Sequence, residues 1–353
     1  MQVEYLIIGQ GISGTFLSWY LQKEQKSFLV IDNNDSNSPS RLAAGIINPV
    51  TGRRMVTVWM AEDVIPFAKQ AYDDIGNELT ITAISQKNII DLFPNPFMRE
   101  NFLKRLDEGN EYTGSVTDEQ QYKKYFNYEF GCGEIKPVYT AHLETLLPAW
   151  RQRLAEQHKL SEEIFTIEHL EIVAGKIRYK DIEADKIIFC DGAGSFDNPY
   201  FKLLPFAPNK GEALIAEIPG LPKDHLFKKS LLLAPLHSGN DLFWVGSNYI
   251  WDFDNTDPTA EFREATERSL KEWLKAPFKI LEHRVGVRPA TLERRPFVGI
   301  HPNFPNVGIL NGMGTKGCSL APYFAKQLTD HLLHHTGITA DADVKRFAKI
   351  LAR

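Results

Sequence analysis

Three glycines near the start of the chain, Gly9, Gly11 and Gly14, are spaced G-x-G-x-x-G, and Asp32 follows eighteen positions after the last of them. This spacing is chemically specific when the glycines close a strand and open a helix. Gly9 then permits a tight turn, Gly11 lets a pyrophosphate approach the backbone, and Gly14 allows close helix–strand packing. The first helical residues, Ile12 and Ser13 among them, would offer unpaired N–H groups and the positive end of the helix dipole to a diphosphate. Asp32, closing the next apolar run, is placed to bind a ribose hydroxyl. FAD and NAD both use this fingerprint. Just beyond it, Arg41 could meet a phosphate, and Ala44 and Gly45 are small enough for a cofactor to run alongside them. A solvated loop arginine reads equally well there.

Three further segments carry candidate chemistry. Cys190–Phe196 (CDGAGSF) is a glycine-bearing turn that would bring the chain, at Gly192, back to the first nucleotide-binding unit. Its cysteine reads as a small core residue. Near the C-terminus, Gly312, Gly314, Thr315, Lys316 and Gly317 form a loop that opens a helix. Such a helix start carries partial positive charge, suited to a second anion such as a reduced isoalloxazine. Lys316 would strengthen that field, or simply be solvated. Arg288, directly before Pro289, has the planar donor fork that captures carboxylates in two-point fashion. Taken alone, Arg288 reads as a surface ion pair, and Arg294–Arg295 as a solvated turn.

The elements that must position these residues follow from periodicity. Val3–Ile8 and Ser27–Ile31 are short apolar runs bounded by turn residues and are read as buried strands, with a helix between them. Asn33–Ser40 is uniformly polar and reads as a surface loop. Helical spacing recurs over Ala61–Ile75, Thr140–Leu154, Pro258–Lys275 and Cys318–His334, with Pro148 expected to kink or begin the second of these. Ala184–Cys190 and Val307–Leu310 are further strands. Between Leu203 and Asp252, β-like runs separated by Pro, Gly and Asn predict antiparallel sheet. The two ends alternate βαβ, which demands parallel sheet. The expected fold is therefore α/β, with a Rossmann-type domain over 1–78, 135–202 and 285–353. An interleaved α+β substrate domain is expected over 79–134 and 203–284.

Composition narrows the class. The chain has 353 residues, 43% hydrophobic and 24% charged, as in ordinary globular proteins. Forty basic against 45 acidic side chains give −5, so no global basic field recruits nucleic acid or an anionic membrane. The basic doublets Arg53–Arg54, Lys123–Lys124, Lys228–Lys229 and Arg294–Arg295 are scattered. Three distant cysteines, Cys132, Cys190 and Cys318, form neither a disulfide framework nor a metal motif. With no signal-like start and no apolar run long enough to span a bilayer, a cytoplasmic protein without a metal is expected.

The motifs IIGQGISG, RLAAG, CDGAGS, GVRPAT…RRPFVG and NGMGTKGCSLAP, together with Asp32, resemble those of the FAD-dependent D-amino acid oxidase superfamily, especially its glycine and sarcosine oxidase branch. They span residues 7 to 323. The last motif is also similar to the FAD domain of the bifunctional enzyme that modifies the wobble uridine of tRNA, where arginine usually stands in place of Lys316. The resemblance implies a discontinuous FAD domain with an antiparallel substrate domain over the flavin. It implies oxidation of a C–N bond in a small amine or amino acid by hydride transfer to flavin N5. Arg288 matches the arginine that binds the substrate carboxylate, and Tyr249 falls where the family lines the substrate cavity. No cysteine lies near Arg288, so FAD is expected to be non-covalent. Met313 stands where several relatives have histidine. Oxygen or a quinone as electron acceptor stays open. The alternatives are a carboxymethylamino group on tRNA as substrate, disfavoured by the acidic, scattered charge, and a flavoprotein subunit without turnover of its own.

Overall fold

The structure, a computed structural model, describes every residue except Ser238 and Arg353. Strand β1 (Gln2–Ile8) lies at the middle of an eight-stranded sheet, with β2 (Phe28–Ile31) on one side and the strand Ile182–Phe189 on the other, both parallel to it. Val307–Asn311 continues the parallel pairing from Ile182–Phe189. Successive residues of β1 serve opposite faces: Tyr5 and Ile7 join one core cluster, Leu6 and Ile8 another. That two-sided burial is why these strands read as continuous apolar runs rather than alternating ones. Helix α1 (Ile12–Lys23), Ala61–Leu79 and Gly317–His334 cover one face through Phe16, Tyr72 and Phe324, among others.

A second eight-stranded sheet has the order Lys279–Arg288, Asn209–Glu217, Leu242–Gly246, Leu232–Pro235, Leu226–Lys228, Ile89–Leu92, Cys132–Ile135 and Thr113–Ser115. It is antiparallel except where Leu226–Lys228 runs parallel to Ile89–Leu92, a junction between segments more than 130 residues apart in the chain. One face packs through Leu214, Phe243 and Val245 against the helix Ala260–Trp273. The other face, with Ala213, Ile215 and Trp244, turns toward the first sheet.

Several elements differ from expectation. The strand Lys279–Arg288 runs straight through the expected domain limit between 284 and 285, so the antiparallel sheet extends to Arg288. Pro148 lies inside the helix Leu143–Glu156 and neither begins nor ends it, and Ala61–Leu79 likewise continues through Pro66. Tertiary packing outweighs the local proline penalty here: Leu146, Leu147 and Trp150 on either side of Pro148 are buried. No described helix is long and apolar enough to cross a membrane. No group of three or more His, Cys, Asp or Glu among the described residues could hold a metal ion.

Candidate active site

A single cavity of about 1910 Å³ lies between the two sheets and reaches from the end of β1 to the C-terminal glycine loop. At the first end, Gly9 adopts φ +97°, and a Cβ there would meet the Cys190 carbonyl oxygen at 2.7 Å. Only glycine lets β1 and the neighbouring strand end this close together. Gly11 has no side chain to cap α1, and the Ile12 N–H instead donates to Ser40 Oγ at 3.1 Å, while Gly11, Ile12 and Ser13 form part of the cavity wall. Gly14 lies outside the lining. Its missing Cβ leaves room for the Gly9 carbonyl, so its role is packing.

Asp32 lines the cavity at the end of β2 and is already engaged. Its Oδ2 accepts from Gln10 N–H at 2.8 Å, and its Oδ1 from Asn34 N–H at 2.9 Å and from Arg151 Nη1 at 2.6 Å. Arg151 was not singled out from sequence. It arrives from the helix Leu143–Glu156, and no local pattern marks it. Arg41, Ala44, Gly45 and Gly192 also line the wall. Arg41 lies 3.5 Å from Gln10 Oε1, a bond at the limit of reach, and burial lowers its pKa. Beside Gly192, Asp191 is half-buried and accepts from the Ser195 hydroxyl and from Asn311 Nδ2 at 3.3 Å. Burial raises its carboxyl to about 6 despite those donors.

At the other end, Gly314, Thr315, Lys316 and Gly317 line the cavity where the helix Gly317–His334 begins. Gly312 does not. It turns at φ +77° against Thr291 and Phe297 and is structural. Lys316 is not solvated as one reading had it. Its Nζ has only the Asn48 carbonyl, at 3.4 Å, and burial lowers its pKa to about 8. Met313 is buried and lines the wall nearby.

Arg288 forms no ion pair with any described residue. Its Nη1 donates to Asn209 Oδ1 at 2.6 Å and to the Asn248 carbonyl at 3.3 Å, and its Nη2 donates to Ser247 Oγ at 2.9 Å. The exposed Tyr249 ring lies against the guanidinium, 4.9 Å from Cζ to ring centroid. The fork lies directly over Gly211, where a Cβ would stand 2.0 Å from Nη2. Neutral acceptors, an aromatic face and a bare backbone thus fix a cation whose charge is unmatched, and burial lowers its pKa. The surface-ion-pair reading fails here because no acid approaches.

Three cations of the basic doublets are engaged within the fold. Lys228 Nζ bonds Asp91 at 2.8 Å, Lys229 Nζ bonds the Asn127 carbonyl at 3.0 Å, and Arg295 stacks over Trp59 at 4.3 Å.

Glycine turns at two helix starts, under a sheet that presents a fixed, unpaired arginine, are the arrangement expected of a dinucleotide-dependent oxidoreductase. The chain belongs to the FAD dependent oxidoreductase (DAO) family, which matches residues 4–331, and its cofactor is FAD. It is 31% identical to a glycine oxidase of Pseudomonas aeruginosa over 157 residues, a stretch covering 42% of each chain. To a glycine oxidase of Bacillus subtilis it is 23% identical over 353 residues, covering 94% of this chain and 93% of the other. Its fold is shared with the crystal structure of glycine oxidase from Geobacillus kaustophilus, with TM-score 0.78, 15% identity and 96% of each chain covered. The residues present fit FAD: the start of α1, where Gly11 offers no capping side chain, lines the cavity, and Lys316 is a half-buried cation with no acidic partner among the described residues at a second helix start.

Proposed function

We propose that the protein oxidises the C–N bond of a small amino acid or related carboxylate-bearing amine. The unpaired guanidinium of Arg288 on the cavity wall carries this reading, because a half-buried cation without a counter-ion is stabilised by the ligand that supplies one. Arg288 would bind the substrate carboxylate through the N–H groups left over from Asn209, Ser247 and the Asn248 carbonyl, with Tyr249 closing one side. The bound substrate is thereby oriented under the sheet, and orientation is a large part of what such a reaction requires.

FAD, when bound, supplies a two-electron hydride acceptor, so no side-chain acid or base is obligatory. Gly11, Ile12 and Ser13 would hold its diphosphate, and Asp32 a ribose hydroxyl with a lone pair not taken by Gln10, Asn34 or Arg151. Lys316 and the start of the helix Gly317–His334 would offer positive charge to the negative charge that reduction brings to the flavin. Attachment is non-covalent in this reading. Burial raises the Cys190 thiol well above its usual value and the Cys318 thiol to about 12, leaving neither as a ready thiolate.

The test is an anaerobic screen of amino acids, N-alkyl amino acids, simple amines and wobble-modified tRNA, read by flavin bleaching. Rapid bleaching by a carboxylate-bearing amine is expected, with Arg288→Ala losing about 2–5 kcal/mol of substrate binding while retaining FAD. Bleaching by tRNA alone, or an Arg288→Ala protein with unchanged substrate affinity, would overturn the proposal.

A further inference from the structure

The three acceptors that hold Arg288 come from two different places, and only one of them is fixed by the sheet. Asn209 lies on the strand Asn209–Glu217, paired with Arg288 itself. Ser247 and Asn248 lie beyond the strand Leu242–Gly246, at the start of an irregular segment that ends at Thr259, the cap of the helix Ala260–Trp273. An irregular segment holds a position only as well as its anchors.

Glu212 is the anchor at both ends. Its backbone N–H donates to Asn248 Oδ1 at 2.7 Å, while its Oε1 accepts from Asn248 Nδ2 at 3.2 Å. One residue therefore grips the Asn248 amide from two sides, which fixes where the Asn248 carbonyl points. The same carboxylate accepts from the Thr259 N–H at 2.8 Å and the Thr259 hydroxyl at 2.9 Å. Ile250 adds a mutual backbone pair with Lys210 between these two points.

This carboxylate is fully buried, on the sheet face where its neighbours Leu214 and Ala216 are apolar. Core packing alone would be served better by an apolar side chain, since a buried carboxylate carries a desolvation penalty that only good donors offset. Glu212 nonetheless keeps its charge. Burial pushes its carboxyl up, but the Thr259 and Asn248 donors outweigh that and hold it below its ordinary value. The N-terminus of the helix Ala260–Trp273 lies against it, which favours an anion. His283 Nε2 approaches at 2.9 Å, yet burial lowers the imidazole pKa, so His283 is largely neutral near pH 7. Nothing in the hydride chemistry calls for an acid at this place, out of contact with Arg288 but one residue away from it through Asn248.

We propose that Glu212 is a positioning residue for the carboxylate clamp, holding Asn248 and Ser247 so that Arg288 meets the substrate's carboxylate in its binding pose. The proposal rests on the reading that Arg288 binds that carboxylate. It predicts a defect in carboxylate capture with little loss of the chemical step.

The test uses the FAD-loaded protein. Acetate and benzoate, carboxylates without an oxidisable amine, are titrated against the visible flavin spectrum, and steady-state kinetics are measured with the best substrate of the screen. Glu212→Gln keeps the shape but cannot offer the same acceptors to Asn248 and Thr259. It is expected to retain FAD, raise the acetate Kd and the KM about 10- to 100-fold, the scale of one lost hydrogen bond to a charged group, and leave kcat at saturation within about threefold. Asn248→Leu cuts the same link while leaving the Glu212–Thr259 bonds, and is expected to show the same split; it decides the matter if Glu212→Gln does not fold. A lower melting temperature with unchanged KM and acetate affinity in these variants would make Glu212 merely structural and refute the positioning role. Arg288→Ala that binds acetate normally would instead refute the reading beneath it, so the two failures are distinguishable.

Discussion

Gly211→Ala separates the carboxylate clamp from the fold that carries it. Gly211 pairs with Gly286 within the antiparallel sheet and has an ordinary extended backbone, so alanine is conformationally acceptable there. The obstacle is local: the new Cβ would stand 2.0 Å from Arg288 Nη2, 2.2 Å from Cζ and 2.3 Å from Nη1. Carbon and nitrogen need roughly 3.5 Å, so the guanidinium must move by more than about 1 Å. The atoms in the way are the end of a flexible side chain, so the protein relaxes by displacing that end, and global stability changes little. The displacement, however, breaks the 2.6 Å bond to Asn209 and the 2.9 Å bond to Ser247 together. A misplacement of 1 Å costs on the order of 100-fold in rate, or about 2.7 kcal/mol. Gly211→Ala should therefore fold, bind FAD and melt within a few degrees of the parent. Its kcat/KM for a carboxylate-bearing amine should fall about 100-fold. Parent-like kcat/KM and acetate affinity in the soluble, FAD-replete variant would show that Arg288 does not act from the pose described.

Three other outcomes follow from the same geometry. Gly14→Ala sets a Cβ onto the Gly9 carbonyl, a backbone atom that cannot swing away, so this variant should lose FAD and much of its stability by absorbance and thermal melting. Lys316, lowered to about 8 by burial, should return toward its ordinary range once a reduced, anionic flavin lies beside it. The flavin's reduction potential should then fall more steeply with pH above about 8 than below it, because reduction takes up an extra proton there, and Lys316→Met should abolish that change of slope. Asp191 has its folded pKa raised from 3.8 to about 6, so the folded chain takes up this proton before the unfolded chain does. Its contribution therefore increases stability by about 3 kcal/mol in all between pH well above 6 and pH below 4, about 2 kcal/mol of it as pH falls from 6 to 4, and is lost as pH rises through 6. Asp191→Asn should remove this component from melts compared at pH 5 and pH 7.

How far the site was legible in the sequence depends on whether its constraint is local. Gly9, Gly11 and Gly14 could be read because a positive φ, a helix start opened by glycine and a close carbonyl are written into a few adjacent residues between an apolar run and a helical one. The C-terminal glycine loop was legible for the same reason, although the burial of Lys316 was not, since Asn48 and the cavity wall supply it. Arg288 stood out as a cation beside Pro289, but what makes it a clamp comes from Asn209, Gly211, Ser247 and Asn248, at least 40 residues away and aligned only by sheet register. The strand Lys279–Arg288 that carries it was itself missed. Its residues are mostly half-buried, and charged Lys279, Glu282, His283 and Arg284 give no alternation to detect. Arg151 and Glu212 were invisible for a related reason: each is a charged residue in an otherwise ordinary element, and its partners are chosen by the fold. Cofactor recognition here rests on backbone geometry and is therefore written in contiguous motifs. Substrate recognition rests on side chains converging from separate strands, so it emerges only once the register is fixed.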